Sequence, residues 1–556
     1  MSVVSEGKFL DTNFAEFCAL PELDYSLAYA ALIGLSKDTS RDFCYDYSMN
    51  KSMNRGVVLA AALELKKYFD KNFANEKRIG IALPSGIPGL LVNLAAQMAG
   101  KSCVNLNFTL GRAAAAHCVK TAELKSVVSA QKLRKKLEEK GIDFPWPEKF
   151  VDIAEVLKGM SKVSVLKNLA LVKTLSASSL ASLFGIEKFG GKREASIIFT
   201  SGSEGMPKAA VLTHRNIVGN CVQMHYCGEV FPDDVLHANL PLFHSFGQSI
   251  QLWFALMYGV KSTMVASPLE VRQNFDAMCR NKSTIMISTP TFLRAYLRKG
   301  NPEDAKSLKY VIAGAEKTPE GLCALWNARF PNSCYMEGYG LTEASPVVCV
   351  NHRKIATRNK FRDYPSGCKV GSIGPLFPGM KAGILDMDTR EFLPIGRTGM
   401  LCLKGPNVFG GYKGLPELNS EKFFDGWLIT GDLASIDEDG YIFIKGRLSR
   451  FSKIGGEMVP HTTIEDAIVK AYNKQDSEAL CFAVASCEDS AKGESIVLLT
   501  TIDIDKSELR AKLSALGFPN LWLPRHIVKV EAIPVLPTGK MDLKSVREIA
   551  KGAAAL

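Results

Sequence analysis

An α/β fold over most of the chain, followed by a small α+β part, is the architecture this sequence predicts. Three observations point to it. From about Gly56 helical and strand patterns alternate. After about Pro365 short strands, glycines and turns take over. The last hundred or so residues return to mixed α and β patterning.

The alternating region begins with Val57–Phe69, which reads as an amphipathic helix. Arg78–Leu83 is a short apolar strand ending at Pro84-Ser85-Gly86, and Pro88–Met98 is helical again. Ser126–Ser129 is a further strand. Such alternation argues for βαβ units around a parallel sheet. Residues Ala130–Arg193 read as polar and irregular, with Gln131–Lys140 a solvated helix face. Glu194–Thr200 is a largely apolar strand running into a glycine-rich segment, and Ala209–Thr213 is the strand after it. The turn-rich stretch beyond Pro365 (Gly371-Ser372-Ile373-Gly374, Pro378-Gly379, Gly405-Pro406, Gly410-Gly411) reads as a small antiparallel barrel or sandwich. Ile496–Ile502 reads as a strand and Lys506–Leu516 as a helix stopped by Gly517.

Bulk properties bound the function classes. The 556 residues are 47% hydrophobic and 22% charged, as in ordinary soluble proteins. A net charge of +11 suits an acidic partner, an anionic substrate, a membrane surface or simply a solvated basic exterior. The 14 cysteines are scattered without a C-x-x-C pair, which argues against zinc and fits a reducing compartment. The start of the chain lacks a secretory pattern, and Gly86–Gly100 and Ile250–Val260 fall short of the roughly 18 apolar residues of a membrane helix. The expectation is a cytoplasmic protein with no transmembrane segment and no nucleic acid partner, peripheral membrane contact being left open. There is no solenoid-type repeat.

Five segments carry chemistry. Thr200–Lys208 (TSGSEGMPK) places three hydroxyls, two glycines and a lysine between two strands. Glycines allow close backbone approach to an anion, and successive N–H groups form an anion-binding concavity. Taken alone, a flexible surface loop explains it equally well, and it is not a Walker A loop, because no G-K-[ST] follows. Gly338-Tyr339-Gly340-Leu341-Thr342-Glu343 alone is any strand-to-helix turn. Thr430-Gly431-Asp432, after Phe424-Asp425-Gly426-Trp427, is weak by itself, as is Arg447 at the start of Gly446–Val459. Pro534–Lys540 ends in a lysine after a glycine, ordinarily an exposed turn. His244, in Leu240–Gly247, is by default a packing residue.

In this order and spacing the five segments resemble the acyl-adenylate-forming superfamily of acyl-CoA synthetases, peptide-synthetase adenylation domains and luciferases. The resemblance implies ATP and Mg²⁺ as cofactors. It makes Thr200, Ser201, Gly202, Ser203, Gly205 and Lys208 the phosphate loop, although Glu204 stands where the family has threonine and Ala209 where it has glycine. It places Gly314, Ala315 and Glu316 on the adenine side, with Gly338, Tyr339 and Gly340, the tyrosine packing on adenine. Thr342 meets the α-phosphate, Glu343 is the metal ligand, Asp432 accepts from the ribose hydroxyls and Arg447 lies near ribose and phosphate. Lys540, with Thr342 and Glu343, forms the catalytic set, and Lys540 holds carboxylate and α-phosphate together. Leu543 and Leu536 replace the family's arginine and threonine around it. Arg450 is the hinge, a position commonly aspartate or lysine. Gly455 and Gly456 line the thiol tunnel, and His244 gates the acyl tunnel. The implied architecture is an N-terminal domain, 1–449, of two βα-layered sheets plus a small β-barrel (about 366–449), and a mobile C-terminal α+β domain, 450–556.

The glutamate in Thr200–Gly205, together with Val311–Lys317, Arg450–Val459 and Ala491–Glu494, resembles one subgroup. That subgroup is the synthetase half of the bacterial bifunctional acyl-acyl carrier protein synthetase/2-acylglycerophosphoethanolamine acyltransferases. This implies an AMP-forming ligase joining a fatty acid to the phosphopantetheine thiol of holo-acyl carrier protein, a small acidic protein suited to a basic surface. The alternatives are a long-chain fatty acyl-CoA synthetase, with CoA as acceptor, and a non-catalytic nucleotide- or fatty-acid-binding protein on the same fold. His461–Asp466 matches an acyltransferase H-x-x-x-x-D spacing but reads as a helix start. The acyl-pocket residues are not assignable from the sequence.

Overall fold

Strands Arg78–Ala82, Ser126–Ser129, Ser102–Asn105 and Ile285–Ser288 are buried at every residue. That is the signature of parallel strands covered on both faces. The computed structural model describes residues 4–5, 8–200, 206–227, 230–351, 368–454, 457–474, 477, 480–489, 493–535 and 541–553. Two large sheets hold these strands. A six-stranded sheet runs in the order Lys208–Thr213, Glu194–Thr200, Ser102–Asn105, Arg78–Ala82, Ser126–Ser129, Lys149–Asp152. It is parallel except for its first pair. An eight-stranded sheet runs Val347–Asn351, Cys334–Gly340, Tyr310–Ala313, Ile285–Ser288, Val235–Ala238, Lys261–Met264, Asp42–Asp46, Lys51–Asn54. Only its two edge pairs are antiparallel.

The turn-rich region forms an antiparallel sheet of seven strands. Its strand Trp427–Ile436 alternates buried and half-buried residues beyond Ile429, as a sheet with one wet face should. At one end Val4–Ser5 forms the edge and pairs with Phe9–Asp11, which pairs with Lys381–Leu385. One continuous apolar core joins the three sheets, from Leu10 to Ile442. Beyond it, Phe482–Asp489, Gly493–Thr500 and His526–Lys529 form a small sheet with helices His461–Ala471, Lys506–Ala515 and Leu543–Ala553. The core clusters of this part draw only on residues from Ile454 onward. The molecule is thus a large N-terminal α/β domain with a smaller C-terminal α+β domain.

The expected elements recur with bounds shifted by a few residues: helices Arg55–Asn72 and Ile87–Met98, and strand Gly493–Thr500. The reading of Ala130–Arg193 as irregular is corrected. The expected helix face at Gln131–Lys140 is helix Gln131–Glu139, and three further helices follow: Ile153–Gly159, Lys162–Thr174 and Ala177–Leu183. The polar residues that suggested irregularity are caps. Asp152 accepts from the Ala154 N–H, Ser161 from Ser164 and Ser176 from Ser179. The apolar run near Ile250 is a buried π-helical segment, Phe246–Phe254. Among the described residues no helix is long and apolar enough to cross a membrane.

Candidate active site

The hairpin Glu194–Thr200/Lys208–Thr213 sets Thr200 and Lys208 directly opposite each other. The Thr200 hydroxyl lies 3.5 Å from the Lys208 carbonyl. The expected phosphate-loop residues Ser201, Gly202, Ser203 and Gly205, with Glu204, lie outside the described residues, as do Gly455, Gly456 and Lys540. Lys208 extends its Nζ to 5.8 Å from the ring centre of Tyr412. The Lys413 N–H donates to the Ala209 carbonyl at 2.9 Å, which ties the hairpin to the antiparallel sheet.

Strand Cys334–Gly340 delivers the second segment. A Cβ on Gly340 would lie 2.2 Å from the Pro346 carbonyl oxygen, so only glycine fits where the strand turns. Tyr339 Oη donates to Asp432 Oδ2 at 2.5 Å. Asp432 and Arg447 are opposite partners on adjacent strands, with Arg447 Nε 3.0 Å from Asp432 Oδ1. The Asp432 N–H donates to the Thr430 hydroxyl at 3.0 Å, and that hydroxyl donates to the Leu401 carbonyl at 2.8 Å. Asp432 is only 2% exposed, so its charge needs these partners. Burial and the neighbouring Asp432 carboxylate hold the Tyr339 phenol well above its usual range. Asp432 holds the Arg447 guanidinium above its usual value, against the opposing effect of burial.

Glu343 accepts a hydrogen bond from Tyr412 Oη, while its backbone carbonyl accepts from the Phe409 N–H at 2.8 Å. Thr342 Oγ1 lies 3.3 Å from Ser245 Oγ. Gly314 follows the end of Tyr310–Ala313, and a Cβ there would lie 3.2 Å from the Gly338 carbonyl. Ala315 adopts φ +69°. The Glu316 carboxylate accepts from the Thr291 hydroxyl at 2.6 Å and faces the cleft between the two domains.

Most of these residues, though not Asp432 or Glu316, share one cavity of about 390 Å³. Thr200, Lys208, Gly314, Ala315, Gly338, Tyr339, Gly340, Thr342, Glu343 and Arg447 all line it. So do Ile287, Ile285, Leu236 and Val260, which lie further back along the parallel strands, and Ile250 and Phe254 of the π-helical segment. The cavity therefore runs from a polar mouth at the carboxyl ends of the strands down an apolar face of the sheet. Ligands of open α/β sheets sit at those carboxyl ends. A cleft of about 2070 Å³ lies between the two domains. Phe243, His244, Phe246 and Ala315 line both spaces, so they form the wall between them. His244 Nδ1 accepts from the Phe246 N–H at 3.3 Å.

Arg450 is 8% exposed and packs into the small domain. It pairs with Glu465, and its Nη1 lies 3.2 Å from the Val484 carbonyl. Burial pushes the Glu465 carboxyl up, against the pull of Arg450. His461 and Asp466 do not converge. His461 is buried, with Nε2 2.7 Å from Ser452 Oγ, whereas Asp466 pairs with Lys317 of the large domain at 2.7 Å.

A profile of the AMP-binding enzyme family matches residues 53–413. The chain belongs to that family. This AMP-binding enzyme is 28% identical over 364 residues to the long-chain-fatty-acid–CoA ligase of Salmonella typhimurium, covering 64% of this chain and 61% of that protein. It is 26% identical over 515 residues to a medium-chain acyl-CoA ligase of Rattus norvegicus, covering 85% and 78%. The match spans about three fifths of the length of the Salmonella relative. The ATP-bound structure of MatB from Rhodopseudomonas palustris superposes with a TM-score of 0.76 at 23% identity, covering 95% of this chain and 99% of that one. At that identity the likeness speaks to the fold alone.

Within this AMP-binding enzyme, the residues at the mouth fit a Mg²⁺ that arrives on phosphates. Among the described residues no group of three or more His, Cys, Asp or Glu forms a metal cage. Mg²⁺ commonly takes one or two carboxylates and completes its shell with water and phosphate oxygens, and Glu343 offers one such carboxylate. Ser245 and Thr430 stand in segments singled out above but had no assigned role; sequence reasoning missed Tyr412, Lys422 and the apolar wall of the cavity. Tyr412, Lys422 and the wall residues come from separate segments of the chain. Only folding brings them together, so no local pattern marks them.

Proposed function

We propose that this AMP-binding enzyme uses ATP to activate a fatty acid as acyl-AMP and passes the acyl group to a pantetheine thiol, with an acidic acyl carrier protein as acceptor. The observation that carries the first half is the single cavity with a polar mouth and a long apolar floor. A mononucleotide suits the mouth and an alkyl chain suits the floor, so the carboxylate lies at their junction.

In this reading Asp432 and Arg447 position the ribose, and Tyr339 flanks the base. Thr342 and Arg447 supply donors to the α-phosphate, where negative charge builds as the carboxylate attacks. Glu343, oriented by Tyr412, would hold the Mg²⁺, which when bound neutralises phosphate charge. Lys208 and the glycine-rich loop take the leaving pyrophosphate. Lys540 brings the two anions together. His244, in the wall between cavity and cleft, gates the approach of the thiol, and Gly455 and Gly456 line that approach. The carbonyl carbon of acyl-AMP then accepts the sulfur, AMP leaves with the C–O bonding pair, and the thiol proton passes to solvent.

The carrier-protein reading rests on the Val311–Lys317 and Arg450–Val459 segments and on the basic residues Lys136, Lys140, Arg294 and Lys299 around the cleft. A second reading, CoA as acceptor, is favoured by the names of the similar ligases. Purified protein, ATP and palmitate are offered either holo-acyl carrier protein or CoA. Acyl-carrier product with little acyl-CoA is expected. Robust product with CoA alone would overturn the carrier-protein assignment and leave the adenylation intact.

A further inference from the structure

Three cations meet at the mouth of the cavity. Lys208 and Arg447 belong to the sequence segments discussed above. The third is Lys422, the last residue of the short helix Pro416–Lys422, next to strand Phe423–Phe424. Its half-buried side chain reaches the same cavity wall as Glu343 and Tyr412. Its hydrogen bond goes to a neutral group, the Ile429 carbonyl, at 3.3 Å. Among the described residues neither Lys208 nor Lys422 is in a salt bridge. The two carboxylates nearby among the described residues are already engaged, Asp432 by Tyr339 and Arg447, and Glu343 by Tyr412.

We propose that Lys422 is a further substrate-binding residue, holding the polyphosphate that leaves as pyrophosphate, opposite Lys208. This inference rests on the reading of the cavity as an ATP site. Among the described residues, three cations around two engaged carboxylates leave an excess of positive charge at the polar mouth, which an incoming anion would offset. Burial depresses the Lys422 pKa, and Lys208 and Arg447 add to that depression while Glu343 opposes it. An ammonium so placed gains more from a phosphate oxygen than one already hydrated. Lysine is a point-charge phosphate binder, and its free N–H groups can turn to whichever oxygen is presented. The charges acting most on Lys422 are Glu343 and Lys208, ahead of Arg447 and Asp432. Lys208, Glu343 and Tyr412 line the same cavity as Lys422, with the Lys208 Nζ 5.8 Å from the Tyr412 ring centre.

Calorimetric titration of the full chain with Mg·ATP, Mg·pyrophosphate and AMP separates this role from a structural one. Lys422→Met should weaken Mg·ATP and Mg·pyrophosphate roughly tenfold, the scale of one hydrogen bond to a charged group, and leave AMP within about twofold. Lys422→Arg should restore most of the loss. Unchanged pyrophosphate affinity in Lys422→Met, or an equal loss for AMP, overturns the assignment. A wild-type chain that binds no Mg·ATP overturns the ATP-site reading, and this inference with it.

Discussion

At the scale of single residues, Asp432 organises the mouth of the cavity. It is buried, and two partners from different strands, Tyr339 and Arg447, converge on its two oxygens. Asp432→Asn keeps the shape but removes the charge that holds Arg447 in place. The expected result is a loss of about 2 kcal/mol in kcat/KM for ATP, or about thirtyfold, with the fold intact by circular dichroism. Equal kcat/KM in the variant would show that the Asp432–Arg447 pair does not touch the nucleotide. Most of this mouth was legible in the sequence, because Thr200, Lys208, Gly338–Glu343, Asp432 and Arg447 sit in short contiguous strings. Lys422 and Tyr412 were not legible. A lysine before a phenylalanine pair carries no signal until the strand at Trp427–Ile436 folds back and brings the Ile429 carbonyl to its Nζ.

At the scale of elements, the buried strands Arg78–Ala82 and Ser126–Ser129 announced themselves as short apolar runs, whereas the strands of the eight-stranded sheet were not read from the sequence. The three helices between Ile153 and Leu183 were missed because serine and aspartate serve equally as turn residues and as helix caps. The π-helical segment Phe246–Phe254 was legible only as an apolar run too short for a membrane. Its bulged backbone turns Ile250 and Phe254 into the cavity wall. In the small domain, helix His461–Ala471 begins on a buried histidine, and burial, with Arg450 and Arg547 nearby, lowers its pKa from 6.5 to about 3. The unfolded chain therefore binds a proton at this site that the folded chain refuses. The stabilising contribution is present in full above about pH 6.5 and is lost as pH falls toward about 3, by at most about 1.4 kcal/mol per pH unit. Unfolding in urea at pH 7, 6 and 5 should show wild type weakening more steeply than His461→Gln. Parallel pH dependence in the two proteins would count against a neutral buried His461.

At the scale of the whole molecule, the small domain has its own core and meets the large one across a wide cleft. Among the described residues the ion pairs Lys317–Asp466 and Lys470–Glu320 cross it, all four side chains being more than half exposed. Such pairs contribute little, about 0–1 kcal/mol each, so they permit rather than lock one arrangement. Arg450, which the sequence resemblance makes the hinge, is buried and paired with Glu465 where the small domain begins. If the small domain presents Lys540 for adenylation and the Gly455-Gly456 stretch for thiol transfer, the two half-reactions should separate. Lys540→Ala is expected to lose acyl-AMP formation by a factor of a hundred or more while using supplied acyl-AMP at a near wild-type rate, on the order expected for one charge acting on the transition state. Equal loss in both half-reactions would exclude two working arrangements.

The central claim is that one cavity joins a nucleotide to an alkyl carboxylate. Exchange of labelled pyrophosphate into ATP, with no thiol present, reads that chemistry directly. We expect exchange by the purified chain that depends on an added fatty acid across a series of chain lengths, and none without acid. Absence of exchange with every acid, from protein that binds Mg·ATP, would contradict the claim.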